Sequence, residues 1–462
     1  MDFFFVTLFL VVYYIRPQDW VSGLSGVKIV KPIVILGLLA LLNRKQKYGL
    51  KDFISTPMDW AVSFYAAYCI FTASDSVGTF KLLAPMLAFY WMTLMALDSE
   101  EKLLRYMKWW MAMLLAVAGL AVAALYGLDF TNATDRIEFF KGRLCLGTWT
   151  HNNPNALGHS VVVAIPLVYF YMFWKSPFKN RLYAVPLIFL AGYAAWHTQS
   201  KGSFLVGGGA IVLTLMFGRS KFIQILILSA ALAGGGAVMA LLPRMSEMNR
   251  MSSDEAIMGR MMAWEVARTV SLNHNYGVGY KVFKAYIEWE DLLIPKATHS
   301  TYIRLGADLG YPGLLLFLLI LWIAFRILIS LKTNNLALER ARRMLFLIFA
   351  TYVMSGWMID RSYHTEYFLL AACCGAVHRL HLKQRQKEED DFSKKTRNQG
   401  LLDNTSNPAM GKSDILEISL PNKLEKKHNL QKWTRVGLLD LVMAGLMLKI
   451  TLETWDYILS TV

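Results

Sequence analysis

The chain has 462 residues, of which 55% are hydrophobic and only 18% are charged. Soluble domains carry about 25% charged residues, so the composition excludes an ordinary soluble domain and favours a membrane protein. Lysine and arginine outnumber aspartate and glutamate by 48 to 33. Membrane topology and anionic lipid account for most of this positive excess, so we expect contact with membrane lipid and none with nucleic acid.

Twelve apolar segments predict helices that cross a membrane, whose hydrocarbon core is about 30 Å thick. In chain order they cover residues 2–15, 29–43, 57–73, 79–97, 105–126, 157–174, 182–198, 203–218, 221–242, 311–331, 343–358 and 366–382. The first segment has no preceding basic region and no small-residue cleavage site, so we expect a retained signal-anchor helix. The predicted fold class is therefore an all-α polytopic membrane protein.

Basic residues set the predicted orientation of these helices. Lysine or arginine occurs in every short connection that follows an even-numbered segment. Because cytoplasmic connections are rich in these residues, we expect those connections and both termini in the cytoplasm. Two long segments then lie outside, residues 127–156 and the longer, helical loop 243–310. Long ordered loops of compact proteins usually carry function.

The chain changes character after the membrane domain, which we assign to residues 1–382. Residues 383–435 are polar and mixed in charge, which predicts a flexible cytoplasmic tail. Residues 436–462 form another apolar run, and either an interfacial helix or a thirteenth span fits it. Four charged residues interrupt this run: Asp440, Lys449, Glu453 and Asp456.

The four cysteines give no sign of a disulfide framework or a metal site. Three of them, Cys69, Cys373 and Cys374, lie in apolar segments, and Cys145 lies in the first outer segment. A thiol in an apolar segment behaves as a small hydrophobic group. The outer segments also lack a carboxylate cluster that resembles a metal-binding motif, so we expect no metal.

An ordered set of short motifs runs through the second outer segment. The motifs are Gly259-Arg260, Trp264, Gly277-Val278-Gly279, His299-Ser300-Thr301-Tyr302 and Leu309-Gly310-Tyr311-Pro312-Gly313-Leu314. This set resembles the O-antigen ligase and polymerase family of bacterial envelope glycosyltransferases. Two earlier strings also fit it: Gly147-Thr148 followed by Asn153-Pro154-Asn155, and Ser200-Lys201-Gly202, in which lysine stands where the family usually has arginine.

The resemblance implies transfer of a glycan from an undecaprenyl diphosphate carrier to an acceptor hydroxyl, at the periplasmic face of the bacterial inner membrane. We expect an inverting, metal-independent glycosyltransferase without a cofactor. The acceptor is a glycan, a lipid A-core or a glycoprotein, so ligase, polysaccharide polymerase and protein O-oligosaccharyltransferase all remain open. A transporter is the fourth interpretation, but transporters place ionisable residues near mid-membrane, whereas here these residues cluster in the outer loops.

Cationic side chains suit a diphosphate leaving group, because a guanidinium donates two parallel hydrogen bonds to phosphate oxygens. We therefore predict that Arg143 and Arg260 bind the diphosphate, with Lys201 and Arg361 as further candidates. A proton acceptor near neutral pH is best supplied by histidine. His299 is accordingly predicted to act with Arg260 in catalysis, either as the base or as a group that orients the acceptor.

Trp264, Tyr302 and His151 are candidate contacts to the sugar or the acceptor. Aromatic packing is the alternative role for the tryptophan and the tyrosine. For the short loop of residues 360–366, which contains Arg361, a solvated turn is the simpler interpretation. The asparagines at 152, 153 and 155 are expected to cap the helix that follows them.

Overall fold

The computed structural model describes residues 1–44, 49–241, 255–289, 292–331, 333–406 and 433–461, and the chain is mostly helical there. The helices of the first half are α1 (Asp2–Ile15), α2 (Pro17–Trp20), α3 (Val30–Leu42), α4 (Pro57–Phe71), α5 (Ser76–Ala96), α6 (Glu100–Leu125), α7 (Thr134–Phe139), α8 (Pro154–Val161) and α9 (Ala164–Val168). A π-helical turn, Tyr169–Phe173, extends α9.

The second half contains α10 (Phe178–Thr198), α11 (Lys201–Met216), α12 (Lys221–Leu241), α13 (Glu255–Asn273), β1 (Ala285–Trp289), β2 (Leu292–Lys296), α14 (Thr301–Ser330), α15 (Leu336–Ser355), α16 (Thr365–Ser406) and α17 (Leu438–Thr461). Each of the twelve apolar segments predicted from the sequence coincides with helix in the structure.

Four helical segments of the described ranges are long and apolar enough to cross a membrane: Ser76–Ala96, Glu100–Leu125, Pro154–Phe173 and Thr301–Ser330. Three other apolar helices are shorter: Val30–Leu42, Lys201–Met216 and Lys221–Gly235. The structure thus agrees with an all-α membrane protein, whereas the number of twelve spans stays a prediction.

Side chains with short polar groups begin several of the helices. Ser99 caps α6, Ser200 caps α11 and Ser300 caps α14, each by accepting a hydrogen bond from a backbone N–H of the first turn. Asn153 caps α8, because its Oδ1 accepts a hydrogen bond from the N–H of Asn155 at 2.8 Å. The capping role predicted for this asparagine is confirmed.

The bundle has two distinct polar ends. At one end, which we call the basic end, Arg44 pairs with Asp98 at 2.6 Å and Arg379 pairs with Asp59 at 3.0 Å. Both arginines also contact Met95, which shows that they share this end. The opposite end, which we call the loop end, carries residues 127–153, 255–300 and 356–364. That the basic end faces the cytoplasm stays a prediction.

The second outer segment is not purely helical. Strands β1 and β2 pair antiparallel, with Ala285 opposite Lys296. In β1, Ala285 and Ile287 are buried while Tyr286 between them is exposed. This alternation is typical of a strand with one covered face, and it was not anticipated from the motifs.

The end of the membrane domain also differs from the prediction of a flexible tail. Helix α16 continues to Ser406, so residues 383–406 are helical. This stretch is rich in lysine, glutamate and glutamine, which lose little side-chain freedom in a helix. Residues 407–432 lie outside the described residues, and the prediction of flexibility there stays a prediction.

Helix α17 packs against protein along most of its length. Asp440, near its start, accepts hydrogen bonds from Arg326 at 2.6 Å and from Trp322 at 3.1 Å. Trp455, near its end, is fully buried against Gly306. Because Arg326 and Gly306 lie at opposite ends of α14, α17 runs antiparallel to α14 from the basic end to the loop end. Its last residues therefore lie at the loop end, whereas Asp2, at the start of α1, pairs with Arg44 at the basic end. The two termini thus lie at opposite ends of the bundle, which disagrees with the expectation that both are cytoplasmic.

Asp308, a residue of α14, joins two parts of the loop end to that helix. Its fully buried carboxylate accepts hydrogen bonds at 2.6 Å each from the backbone N–H of Phe283, the guanidinium of Arg304 and the hydroxyl of Tyr363. A second link lies two residues further on, where the backbones at Gly277 and Gly310 approach so closely that a Cβ on either glycine would overlap the backbone of the other segment. The second outer segment is thereby fixed to the start of α14.

We expect Asp308→Asn to lower the melting temperature far more than Asp135→Asn, a matched change at an exposed position of α7. Loss of the carboxylate charge leaves Arg304 without its ion partner, and breaking a buried pair costs about 3–5 kcal/mol. Thermal unfolding of both variants in one detergent measures the difference. Equal melting temperatures would show that Asp308 does not hold the outer segment.

Candidate active site

At the loop end, Arg260 lies close enough to His299 for its charge to act on the imidazole, although the β-hairpin separates the two residues in the sequence. Burial and the nearby charge of Arg260 lower the pKa of His299 to about 4, and the carboxylate of Asp360 opposes this shift. His299 is therefore neutral at pH 7, with one ring nitrogen available to accept a proton. The three side chains form a small group of one cation, one imidazole and one carboxylate.

The backbone holds His299 in a fixed, strained conformation. Its φ of +48° lies in the left-handed region, which non-glycine residues adopt only when their surroundings impose it. On one side, the indole N–H of Trp264 donates to the carbonyl of Thr298 at 2.7 Å. On the other side, the N–H of Thr301 donates to the carbonyl of Gly356 at 2.7 Å. The imidazole is thus presented from a rigid turn and not from a mobile loop.

Three helices start at the loop end near this group. Helix α11 meets α8 where Gly202 faces His159, since a Cβ on Gly202 would lie 3.1 Å from the His159 Nε2 atom. The charge of Arg260 acts on His159 as well as on His299. Helix N-termini carry a partial positive charge, so α8, α11 and α14 add to the cationic character of this end. Lys201 is the first residue of α11 and lies in the same region.

Arg143 links the end of α10 to the start of α8. Its Nε donates to the carbonyl of Thr198, at the end of α10, at 3.0 Å. Its Nη2 donates to Oδ1 of Asn155, at the start of α8, also at 3.0 Å. Part of its guanidinium is therefore used to hold the framework, and its charge remains beside the start of α8.

Arg361 is buried and bonded to side chains and backbone within the bundle. It is 8% exposed, and its Nη1 donates to Oε2 of Glu366 at 2.7 Å. Its Nη2 donates to Ser160 at 2.8 Å and to the carbonyl of Ala156 at 3.2 Å. The interpretation of residues 360–366 as a solvated turn is wrong, because this loop is packed into the bundle. Arg361 satisfies internal partners, which argues against a contact with the diphosphate.

The three candidate sugar contacts are also buried. Trp264 is 6% exposed and Tyr302 is 4% exposed, and the Tyr302 hydroxyl donates to the carbonyl of Val353 at 2.8 Å. His151 is fully buried, with its Nε2 atom 3.2 Å from the Ser160 hydroxyl, and burial lowers its pKa to about 3. These contacts favour packing roles for all three side chains, and Trp264 in addition supports the turn before His299.

Sequence reasoning missed Asp360 and His159. A signal for His159 was available, because an ionisable residue within an otherwise apolar helix is by default a functional candidate. Asp360 was hidden in a run of charged residues that resembles a surface turn. Only the fold shows that this run packs beside His299.

Metal-binding side chains do not cluster within the described ranges, where no group of three His, Cys, Asp or Glu residues is placed to hold an ion. The four cysteines are buried free thiols. Burial raises the pKa of Cys145 to about 11, so its thiol stays protonated at neutral pH and is a poor ligand. A metal-independent reaction without a cofactor stays a prediction.

Arg361→Gln should destabilise the protein, whereas Arg260→Gln should not do so to a comparable degree. The first change leaves Glu366 buried without a cation, which costs about 3–5 kcal/mol. Arg260 is predicted to bind the diphosphate, and residues selected for function often add little to stability. Thermal unfolding of the two variants under the same conditions compares them. If Arg260→Gln proved the more destabilising change, Arg260 would be the structural arginine.

Two members of this group, Arg260 and His299, fall within a recognised domain. Residues 186–318, which include Lys201, Arg260 and His299, match the family model described as O-antigen ligase. The search of curated proteins gave no match. The O-antigen ligase family is a glycosyl-transfer enzyme family, and its members sit in the inner membrane. The chain therefore carries an O-antigen ligase domain, which confirms the predicted resemblance to the O-antigen ligase and polymerase family.

Proposed function

We propose that this protein transfers a glycan from an undecaprenyl diphosphate carrier to an acceptor hydroxyl at the loop end of the bundle, on the periplasmic side of the inner membrane. The observation that carries this proposal is that Arg260 lies close enough to His299 for its charge to lower the pKa of the imidazole, within the O-antigen ligase domain. A fixed cation and a neutral base are the two groups that such a transfer requires of the protein.

The cation binds the leaving group. As the bond between the anomeric carbon and the diphosphate oxygen breaks, negative charge grows on the departing diphosphate. Arg260 stabilises this charge from a partly desolvated position, and Arg143 and Lys201 add positive charge at the starts of α8 and α11. The helix N-termini contribute in the same sense.

The base activates the acceptor. His299 takes the proton of the acceptor hydroxyl while that oxygen attacks the anomeric carbon from the face opposite the diphosphate, which inverts the configuration. A pKa of about 4 makes His299 a weak base in the empty site. A bound diphosphate neutralises the effect of Arg260 and raises the pKa of His299, because an anion nearby favours the imidazolium form. The donor thus strengthens the base that its own transfer requires.

The identity of the acceptor separates the candidate functions. A ligase uses a lipid A-core or another non-carrier glycan, and a polymerase uses a second carrier-linked glycan. The family match covers both activities, so polysaccharide polymerase is the second candidate. Transfer to a glycoprotein uses the same donor chemistry, whereas the transporter alternative does not account for a base beside a diphosphate-binding arginine.

The test is reconstitution of the full chain in liposomes with an undecaprenyl diphosphate glycan, and with each acceptor class in a separate reaction. We expect transfer to one class, with Arg260→Ala and His299→Ala each losing about 100-fold or more of the rate. Arg136→Ala, at an exposed position of α7, is the matched control and should keep the wild-type rate. Full activity in both site variants contradicts the assignment, and loss of wild-type activity in EDTA contradicts the metal-free mechanism.

The pH dependence of kcat/KM should reflect the ionisation of His299. Only the neutral imidazole accepts a proton, and it is neutral above its pKa, so kcat/KM for the donor should fall as the pH is lowered towards about 4. Asp360→Asn removes the carboxylate that raises this pKa, so the acid limb of the profile should move to lower pH. Samples returned to neutral pH control for unfolding. A limb that moves to higher pH in this variant would exclude His299 as its origin.

A further inference from the structure

The C-terminal helix reaches the helix that carries Arg260. Arg268 lies two turns after Arg260 on α13, and it forms two parallel hydrogen bonds to Asp456 of α17, at 2.6 and 2.7 Å. Its Nη1 also donates to the hydroxyl of Tyr311 at 2.9 Å. The Arg268 side chain is only 16% exposed, so the pair is shielded on the arginine side. A bidentate pair of this kind fixes both distance and orientation.

A buried contact lies directly beside this ion pair. Trp455 is fully buried, and its ring lies 5.6 Å from the Arg268 guanidinium. Trp455 shares a hydrophobic cluster with Ala263, Ala267 and Trp264 of α13. Since the indole of Trp264 supports the turn before His299, α17 packs on the same cluster that places both proposed site residues.

The other end of α17 is anchored in the bundle. Asp440 is fully buried and accepts hydrogen bonds from Arg326 at 2.6 Å, from Trp322 at 3.1 Å and from Trp433 at 3.0 Å. A helix held by a buried carboxylate at one end cannot slide along α14 without exposing that charge in an apolar surrounding. Its other end therefore reaches α13 in one register.

We propose that α17 is a latch that positions α13, and that Asp456 is a positioning residue for glycan transfer. This inference rests on the proposed function, because its consequence is the placement of Arg260. This arrangement explains the charged residues that interrupt the apolar run. Asp440 fixes the position of α17 along α14, and Asp456 holds α13. Lys449 and Glu453 pair with each other, 3.6 Å apart, on the exposed face.

The test uses the full chain in the reconstituted transfer reaction. Asp456→Asn should slow glycan transfer about threefold to tenfold, the range expected when one charge-assisted pair is weakened. Asp456→Glu, which keeps the charge, should keep most of the wild-type rate. The single variants Arg268→Asp and Asp456→Arg should each slow transfer, and the double variant that combines them should recover most of the rate. Glu453→Gln, one turn away on the same helix, is the matched control and should leave the rate unchanged.

Hydrogen exchange of the α13 backbone provides a readout that needs no activity. Asp456→Asn should speed exchange over residues 257–273, and Glu453→Gln should not. The latch is overturned if Asp456→Asn matches the wild type in exchange, or if exchange rises while the transfer rate stays at the wild-type value. If the wild-type protein transfers no glycan at all, the proposed function fails, and the exchange of α13 alone then decides whether α17 holds it.

Discussion

The start of α14 is the constraint on which the rest of the loop end depends. The backbone N–H of Thr301 and the hydroxyl of Ser300 both donate to the carbonyl of Gly356, at 2.7 and 3.1 Å. The hydroxyl of Thr301 accepts a hydrogen bond from the N–H of Arg361 at 3.0 Å. These bonds join the first turn of α14 to the loop that contains Asp360. If that turn unfolded, nothing would hold the His299 backbone in its left-handed conformation, and the imidazole would move away from its neighbours.

Charge at the loop end is divided between two kinds of arginine. Arg304, Arg361 and Arg268 each have a carboxylate partner, respectively Asp308, Glu366 and Asp456. Such pairs are part of the framework, since removal of one member leaves the other uncompensated. Arg260 is distinguished by the side chains around it, because its charge acts on the imidazoles of His299 and His159. A count of cations in the outer segments does not distinguish these roles, because they depend on which side chains surround each arginine in the folded chain.

Hydropathy and capping residues account for what could be predicted of the fold. The twelve apolar segments and the Asn153 cap are local features, and local sequence is sufficient for them. The burial of Arg361 could not be predicted, because its partners Ala156 and Ser160 come from a distant part of the chain. The hairpin of β1 and β2 was missed for a related reason: its alternation is short, and the helices that cover one of its faces, α13 among them, do so only in the folded chain.

The chemistry of the site residues also depends on contacts that the local sequence does not reveal. The motifs placed Arg260 and His299 in one loop, but the pKa of His299 depends on burial and on Asp360, which lies beyond two further helices in the sequence. Because the empty site disfavours the imidazolium, the base gains strength only when an anion offsets the charge of Arg260. An acceptor hydroxyl that arrives before the donor meets a weak base, and so does water. The same geometry that disfavours proton transfer in the empty site therefore couples activation of the acceptor to the presence of the diphosphate.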